Sequence, residues 1–431
     1  MLWRICILAF IGLIRADCPL VAATGAEPLT LAAAQHIALQ RNADLGSAQA
    51  QLAVAVAQLQ TAREFPNPAL SLSTTHINTD GTGNGTPAGN RFLDRSYDSV
   101  TALSQLLEIG KRGPRRTAAQ AAQSAASAQR DDVRRLLLKA VSQAYVAALE
   151  AGEESSILAE SAASLHREAA LAATRFAAGD IAATDQAQIE IIATQRELDA
   201  AAARQAATTA LITLETILGD PAPDGHTRLA DTLALLGGSA DSLPAEAEAR
   251  ARPDIAAAEA LVAKADADLV TQRRMVIPDV TISAQYERNP PSAPNSAGVG
   301  LTFPLPIWNR NGGAIRAARA ARDLAQAQLD KTRTAALAEI TSARSAYQTA
   351  IAQAGVYAHE LSAKSAGVVK TVAFAYERGG AALVELLAAE RNANDIRLSA
   401  VRAQADAASA AFALTAALNL LEPAPVAATQ P

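Results

Sequence analysis

Residues 280–286 read Val-Thr-Ile-Ser-Ala-Gln-Tyr, and residues 298–305 read Gly-Val-Gly-Leu-Thr-Phe-Pro-Leu. In both stretches the apolar side chains take every second place: Val280, Ile282, Ala284 and Tyr286, then Val299, Leu301, Phe303 and Leu305. A period of two marks β-strands with one apolar and one polar face. The two predicted strands, about 279–288 and 297–306, flank a loop rich in Pro and Asn from Asn289 to Asn295.

The same pattern occurs earlier in the chain. With Asp44-Leu45 set on Asp254-Ile255, an offset of 210 places Ala48 on Ala258, Leu52 on Val262, Pro68 on Pro278, Leu70 on Val280 and Leu72 on Ile282. Gly113 then falls on Gly312 at an offset of 199, and an offset of 200 pairs Phe176 with Tyr376, Gly179 with Gly379, Asp185 with Glu385 and Leu218 with Leu418. Such ordered matches read as an internal duplication. Each copy runs helix, strand, loop, strand, long helix, tight turn, long helix. The first repeat spans 27–220, with strands about 68–77 and 97–106 joined by a Gly/Asn/Thr-rich stretch, 78–90, and a hairpin turn near 179. A linker, 221–243, leads to the second repeat, 244–421, with its turn near 379, and a tail, 422–431, ends the chain.

The helices account for the composition. Alanine makes up about a quarter of the 431 residues and aromatics only 3%. Alanine is the best helix former but buries little area, so it suits long helices packed closely better than thick globular cores. The final helix carries a 3-4 spacing from Leu386 through Ala389, Ala393, Ile396, Ala400, Ala403, Ala407, Ala410, Leu414 and Ala417 to Leu421, which is a coiled-coil seam.

Residues 1–26 read as an export signal: Arg4, an apolar run from Ile5 to Ile14, and small residues that place cleavage after Ala23 or Ala26. Cleavage there would remove Cys6 and Cys18, the two cysteines of the chain. Asp17 before Cys18 is a poor match to a lipidation site. A net charge of -5 gives no basic footprint, so nucleic acid is not an expected partner. The five histidines, His36, His76, His166, His226 and His359, lack ligand spacing, and no metal site, cofactor or catalytic motif is predicted. No long apolar run follows the N-terminus, but barrel strands of about ten alternating residues need none.

The duplicated layout and several local motifs resemble the TolC family of outer-membrane efflux channels. The motifs are Phe65-Pro66-Asn67-Pro68, Leu107-Glu108-Ile109-Gly110-Lys111-Arg112, Pro304-Leu305-Pro306-Ile307-Trp308-Asn309-Arg310-Asn311, Arg175-Phe176-Ala177-Ala178-Gly179-Asp180 and Tyr376-Glu377-Arg378-Gly379. The strand-end motifs look most like the branch serving cobalt-zinc-cadmium cation efflux. Four strands cannot close a barrel, for which about eight are needed. The resemblance implies a homotrimer whose twelve strands form an outer-membrane β-barrel, continued by a periplasmic α-helical barrel. It also implies a membrane-fusion adaptor and an inner-membrane RND pump as partners, with no chemistry in the channel itself.

Candidate residues follow from that layout. At the hairpin tips, Arg175, Phe176, Gly179, Asp180, Tyr376, Arg378 and Gly379 are expected to meet the adaptor, although Gly179 and Gly379 also read as plain helix-reversing turns. Asp185 and Glu385, six residues past those glycines, match aperture positions of the family, and three copies of each would form acidic rings. Carboxylates are favoured at helix N-termini in any case. Ala388 stands where some relatives carry a second carboxylate. Lys111, Arg112, Arg115 and Arg116 put four cations at a helix start, against its dipole, and call for another partner, lipid headgroups or solvent. Trp308 is expected at the membrane rim, with core packing as the alternative. A duct for drugs or organic solutes, and a soluble periplasmic coiled-coil scaffold without a barrel, are the competing readings.

Overall fold

The computed structural model describes residues 28–75, 98–236, 252–289, 293–378 and 380–422. The predicted signal segment with both cysteines, the 78–90 stretch, Gly379 and nearly all of the tail lie outside these residues.

The first repeat comprises α1 (Leu31–Arg41), α2 (Ala43–Arg63), β1 (Ala69–Thr75), β2 (Asp98–Leu107), α3 (Arg112–Ala178) and α4 (Ala183–Leu218). A single turn, α5 (Leu233–Leu236), precedes the second repeat. That repeat comprises α6 (Pro253–Arg274), β3 (Val280–Asn289), β4 (Ala293–Thr302), α7 (Gly312–Val356), a π-helical turn (Tyr357–Leu361), α8 (Ser362–Glu377) and α9 (Leu383–Ala417). α4 and α9 begin 200 residues apart, at Ala183 and Leu383, so the duplication in sequence is a duplication in structure. The 67 residues of α3 run unbroken through Gly152 for about 100 Å. In the second repeat the equivalent rod is interrupted by the π turn, where the Ser362 hydroxyl donates to the Tyr357 carbonyl at 2.7 Å.

The strands form one antiparallel sheet in the order β1-β2-β3-β4, so the two repeats join through the β2–β3 pair. Register stacks Leu70, Leu103, Ala284 and Val299 in one row across the sheet, and Leu72, Thr101, Tyr286 and Ala297 in the next. Rows of the opposite face hold Ser71, Ala102, Gln285 and Gly298, and Ser73, Val100, Glu287 and Ser296. On this small-residue face the Ser283 hydroxyl leans over Gly300, and a Cβ there would stand 2.8 Å from it. The apolar face is bare within the chain: Val299 is 90% exposed and Leu72 74%. β4 differs from the sequence expectation. It starts at Ala293 and ends at Thr302, so Phe303 and Leu305 lie beyond it, where Pro304 and Pro306 cannot donate to a ladder. No described helix is long and apolar enough to cross a membrane.

The helices bury a core of modest side chains at mid-length: Val141, Tyr145, Val146, Leu214, Leu233, Ala405 and Ala408 among them. The Tyr145 hydroxyl shares its proton between the Leu29 carbonyl at 2.7 Å and the Asp231 carboxylate at 2.9 Å, pinning the start of the described chain beside the inter-repeat segment. The α9 seam is buried at Leu386, Ala403, Ala407, Leu414 and Ala417, as the spacing predicts. A second stripe, Leu398, Val401, Ala405 and Ala408, is buried too, because α9 packs against both α3 and α7 and needs two apolar faces.

A buried guanidinium ties together three parts of the second repeat, and a second one joins the first repeat to them. Arg252, 2% exposed, donates to Asp254 at 2.8 Å, Glu339 at 2.7 Å and the Ala417 carbonyl at 3.1 Å. Arg135 from α3 donates to the adjoining Ala416 carbonyl. Two cations thus satisfy the end of α9, where a helix leaves carbonyls unpaired and the dipole is negative. Burial alone would push the Asp254 and Glu339 carboxyls up, but Arg252 overrides it and holds both below the usual range. Arg252→Ala would strand two carboxylates and a carbonyl at a cost of about 3 kcal/mol. The expected outcome is a clearly lower unfolding midpoint in detergent, with Arg252→Lys recovering only part of it.

Candidate functional site at the hairpin tips

The first long helix pair turns at its tip on a residue that the sequence marked. Gly179 has φ +83°, the left-handed conformation that ends α3, and the Asp180 amide reaches back to the Arg175 carbonyl at 2.9 Å. At the second tip the Gly380 amide reaches the Ala375 carbonyl at 2.8 Å, the same closure at the equivalent position 200 residues on. The returning helices α4 and α9 start on Ala182 and Ala382, neither of which has a capping side chain. Their first turns carry Asp185 and Glu385 in equivalent places, both exposed. The Glu385 carboxylate accepts from the Ala382 amide at 3.4 Å, supplying a cap that alanine cannot.

The structure brings the tips together. The Arg175 guanidinium at the end of α3 donates to the Tyr376 hydroxyl at the end of α8 at 3.1 Å and lies 5.7 Å from its ring centroid. Arg378 stands 4.9 Å over the Phe374 ring. Phe176 and Phe374 are both exposed, two aromatic rings at the free end of a helical rod. Behind the tips Leu165, Ala172, Ile189, Ala193 and Leu387 make a small apolar cluster shared by both hairpins.

At the opposite end of α3 the four cations have different surroundings. Lys111 is buried and pairs with Asp279 at 2.7 Å, linking the end of β2 to the start of β3. Arg112 stacks 3.7 Å over the Phe65 ring and donates to the Arg63 carbonyl. Arg115 holds Glu108 through two hydrogen bonds of 2.6 and 2.9 Å. The chain itself therefore supplies partners for three of the cations. Trp308 is 93% exposed, which excludes packing in the core of this chain.

Sequence reading missed a pair of carboxyls that meet between α3 and α9, Glu168 and Glu390. Their one signal in sequence is that each lies eleven residues from a matched tip glycine, Glu168 before Gly179 and Glu390 after Gly379. Among the described residues no group of three or more His, Cys, Asp or Glu side chains is placed to hold a metal ion.

Comparison with known proteins agrees with this architecture. The outer membrane efflux protein family matches residues 35–220 and 243–420. Cobalt-zinc-cadmium resistance protein CzcC of Cupriavidus metallidurans is 27% identical over 319 residues, 72% of this chain and 70% of that protein. Pyoverdine export outer membrane protein OpmQ of Pseudomonas aeruginosa is 31% identical over 298 residues, 65% of this chain and 61% of that protein. Among solved structures, the open-state outer membrane channel MtrE of Neisseria gonorrhoeae superposes with a TM-score of 0.76 at 21% identity, covering 90% of this chain and 88% of that one.

The tip geometry makes a local prediction. Gly179→Ala forces a left-handed alanine and should cost about 1 kcal/mol. Amide exchange over residues 172–183 should quicken while the mid-length core around Tyr145 is unchanged.

Proposed function

The chain belongs to the outer membrane efflux protein family, and from that premise we propose that it is the outer-membrane exit duct of a tripartite efflux system, carrying divalent heavy-metal cations as cargo. The observation that carries the reading is the sheet. Four strands with an exposed apolar face and two unpaired edges are no stable end state for a single chain. Three copies joined edge to edge supply twelve strands, close the barrel and turn the Leu70–Leu103–Ala284–Val299 rows toward lipid. The helices then continue below the membrane as a hollow wall. The duct performs no chemistry of its own and offers water-filled passage.

At the far end, the paired tips with Phe176, Tyr376, Arg175, Asp180 and Arg378 face a periplasmic adaptor, which in turn engages an RND pump. Asp185 and Glu385, exposed on equivalent first turns, line the aperture as acidic rings. Trp308, with Arg116 and the already partnered Lys111, Arg112 and Arg115, marks the inner rim of the outer-membrane barrel. The metal cargo is supported by likeness to a protein named for cobalt, zinc and cadmium resistance. A second reading, organic cargo, is favoured by likeness to a pyoverdine exporter of slightly higher identity.

Deletion of the gene should raise sensitivity to zinc, cadmium or cobalt, reversed by the intact gene in trans. Unchanged metal tolerance with lost export of an organic solute would favour the second reading. For the aperture, Glu385→Ala should change cation preference in single-channel recordings; conductance and selectivity equal to the parent would remove Glu385 from that role. Reversing the charges of Asp180 and Arg378 together should reduce co-purification of the adaptor while the trimer persists.

A further inference from the structure

α3 and α9 run antiparallel and are joined by a series of cross-links. Arg402 donates to Glu154 at 2.5 Å, Arg397 to Glu160 at 2.9 Å, and Asn394 to Ser161 at 2.9 Å. Each of these rungs pairs a donor with an acceptor. The next pair toward the tips does not: it is Glu168 against Glu390, carboxyl to carboxyl. Two ionised carboxylates have four acceptor oxygens and no donor, so a hydrogen bond between them needs one proton. The rung also has a dry side. Glu168 Oε2 is buried with no hydrogen-bond partner. Its residue lies between Leu165 and Ala172 of the cluster behind the tips, and Glu390 lies one turn beyond Leu387 of the same cluster.

Several charges surround the pair, and one cation acts on it. A cavity of about 1200 Å³ between the two hairpins has Glu390 on its wall, with Arg167 from α3, Arg196 and Asp199 from α4, Lys370 from α8 and Arg391 from α9. Arg196 approaches Asp199 at 3.8 Å, and Arg397 is spent on Glu160. His166 pairs with Glu197 inside the first hairpin, between α3 and α4 rather than between the hairpins. Arg167 is the cation whose charge reaches Glu168. Burial and then the Glu390 charge outweigh it, and the Glu168 carboxyl is pushed up to about 7. Glu390 is raised as well, by burial.

We propose that Glu168 and Glu390 are a proton-operated latch between the two helical hairpins: one shared proton holds α3 to α9 near the tips, and its release to solvent sets two carboxylates against each other and loosens them. The rung lies within one chain, so it stands apart from the trimer and from the cargo. The direction with pH follows from linkage. The carboxyl titrates higher in the latched state than its ordinary value of 4.5, so the latch is fully engaged below about that pH, weakens as the pH rises and is spent past about 7.

The test is amide exchange of the full chain in lipid nanodiscs at pH 6 and pH 8, corrected for intrinsic exchange, read over residues 162–176 and 383–392. For a group moved from 4.5 to about 7, opening of these segments should increase about tenfold between the two pH values. Glu168→Gln supplies a permanent donor to the Glu390 carboxylate, and its exchange should stay at the protected level at both pH values. Glu390→Gln reaches the same end with the donor on the other helix, and covers the case in which Glu168→Gln does not fold. An unchanged opening of the parent chain between pH 6 and 8 overturns the proposal. So does a tenfold increase that survives in either variant.

Discussion

Every backbone amide and carbonyl in a membrane must find a partner, because hydrocarbon offers none. A four-stranded sheet meets that demand on its inner strands only; β1 and β4 each keep one unpaired edge. A chain that carries such a sheet on rods about 100 Å long has its assembly set by those edges. The close helix packing that alanine allows serves the same end, since a wall of helices around a passage has no thick core to fill. Mid-length burial is correspondingly made of Val, Leu, Ala, one Ile and one Tyr, and the polar clasp of Arg252, Asp254 and Glu339 does locally what a larger core would do elsewhere.

The architecture was legible in the sequence because it is periodic and occurs twice. Alternation at Val280–Tyr286 gave a strand at the observed place, and the offset of 200 put both returning helices at matching starts. The error at the end of β4 has a simple cause: apolar alternation continues through Phe303 and Leu305, while Pro304 and Pro306 stop the hydrogen bonding that a strand needs. Periodicity reports side-chain faces, and a ladder depends on backbone donors. The wider burial of α9 is a related case, since a 3-4 seam describes contact with one neighbour and α9 has two.

Charges were the least legible part. Lys111 and Arg112 at the start of α3 looked unpartnered because their partners, Asp279, the Phe65 ring and the Arg63 carbonyl, are remote in sequence or are not charges at all, whereas Arg115 has Glu108 seven residues before it. Arg252 and Glu339 are separated by 87 residues, and Glu168 and Glu390 by far more. Nothing local distinguishes these from the solvated Glu and Arg that cover any long helix. Only the antiparallel register of α3 and α9, which the fold sets, reveals that one rung of their ladder carries the same charge on both sides.

The π-helical turn alters the phase of the second hairpin. Along α7, Leu329, Ala336, Ala343 and Ala350 share a frame of seven residues, and continued unchanged it would arrive at Lys364. The buried side chain there is Ser365, one position late. A helix is a screw, and one extra residue advances it by about 100°. Without the widened turn, the lysine would be driven into the neighbouring helix and the serine swung toward solvent. The first repeat keeps its long helix in one phase from end to end, whereas the second resets it once. Two halves descended from one pattern therefore present different surfaces near their tips, and a ring built from them alternates between two kinds of stave.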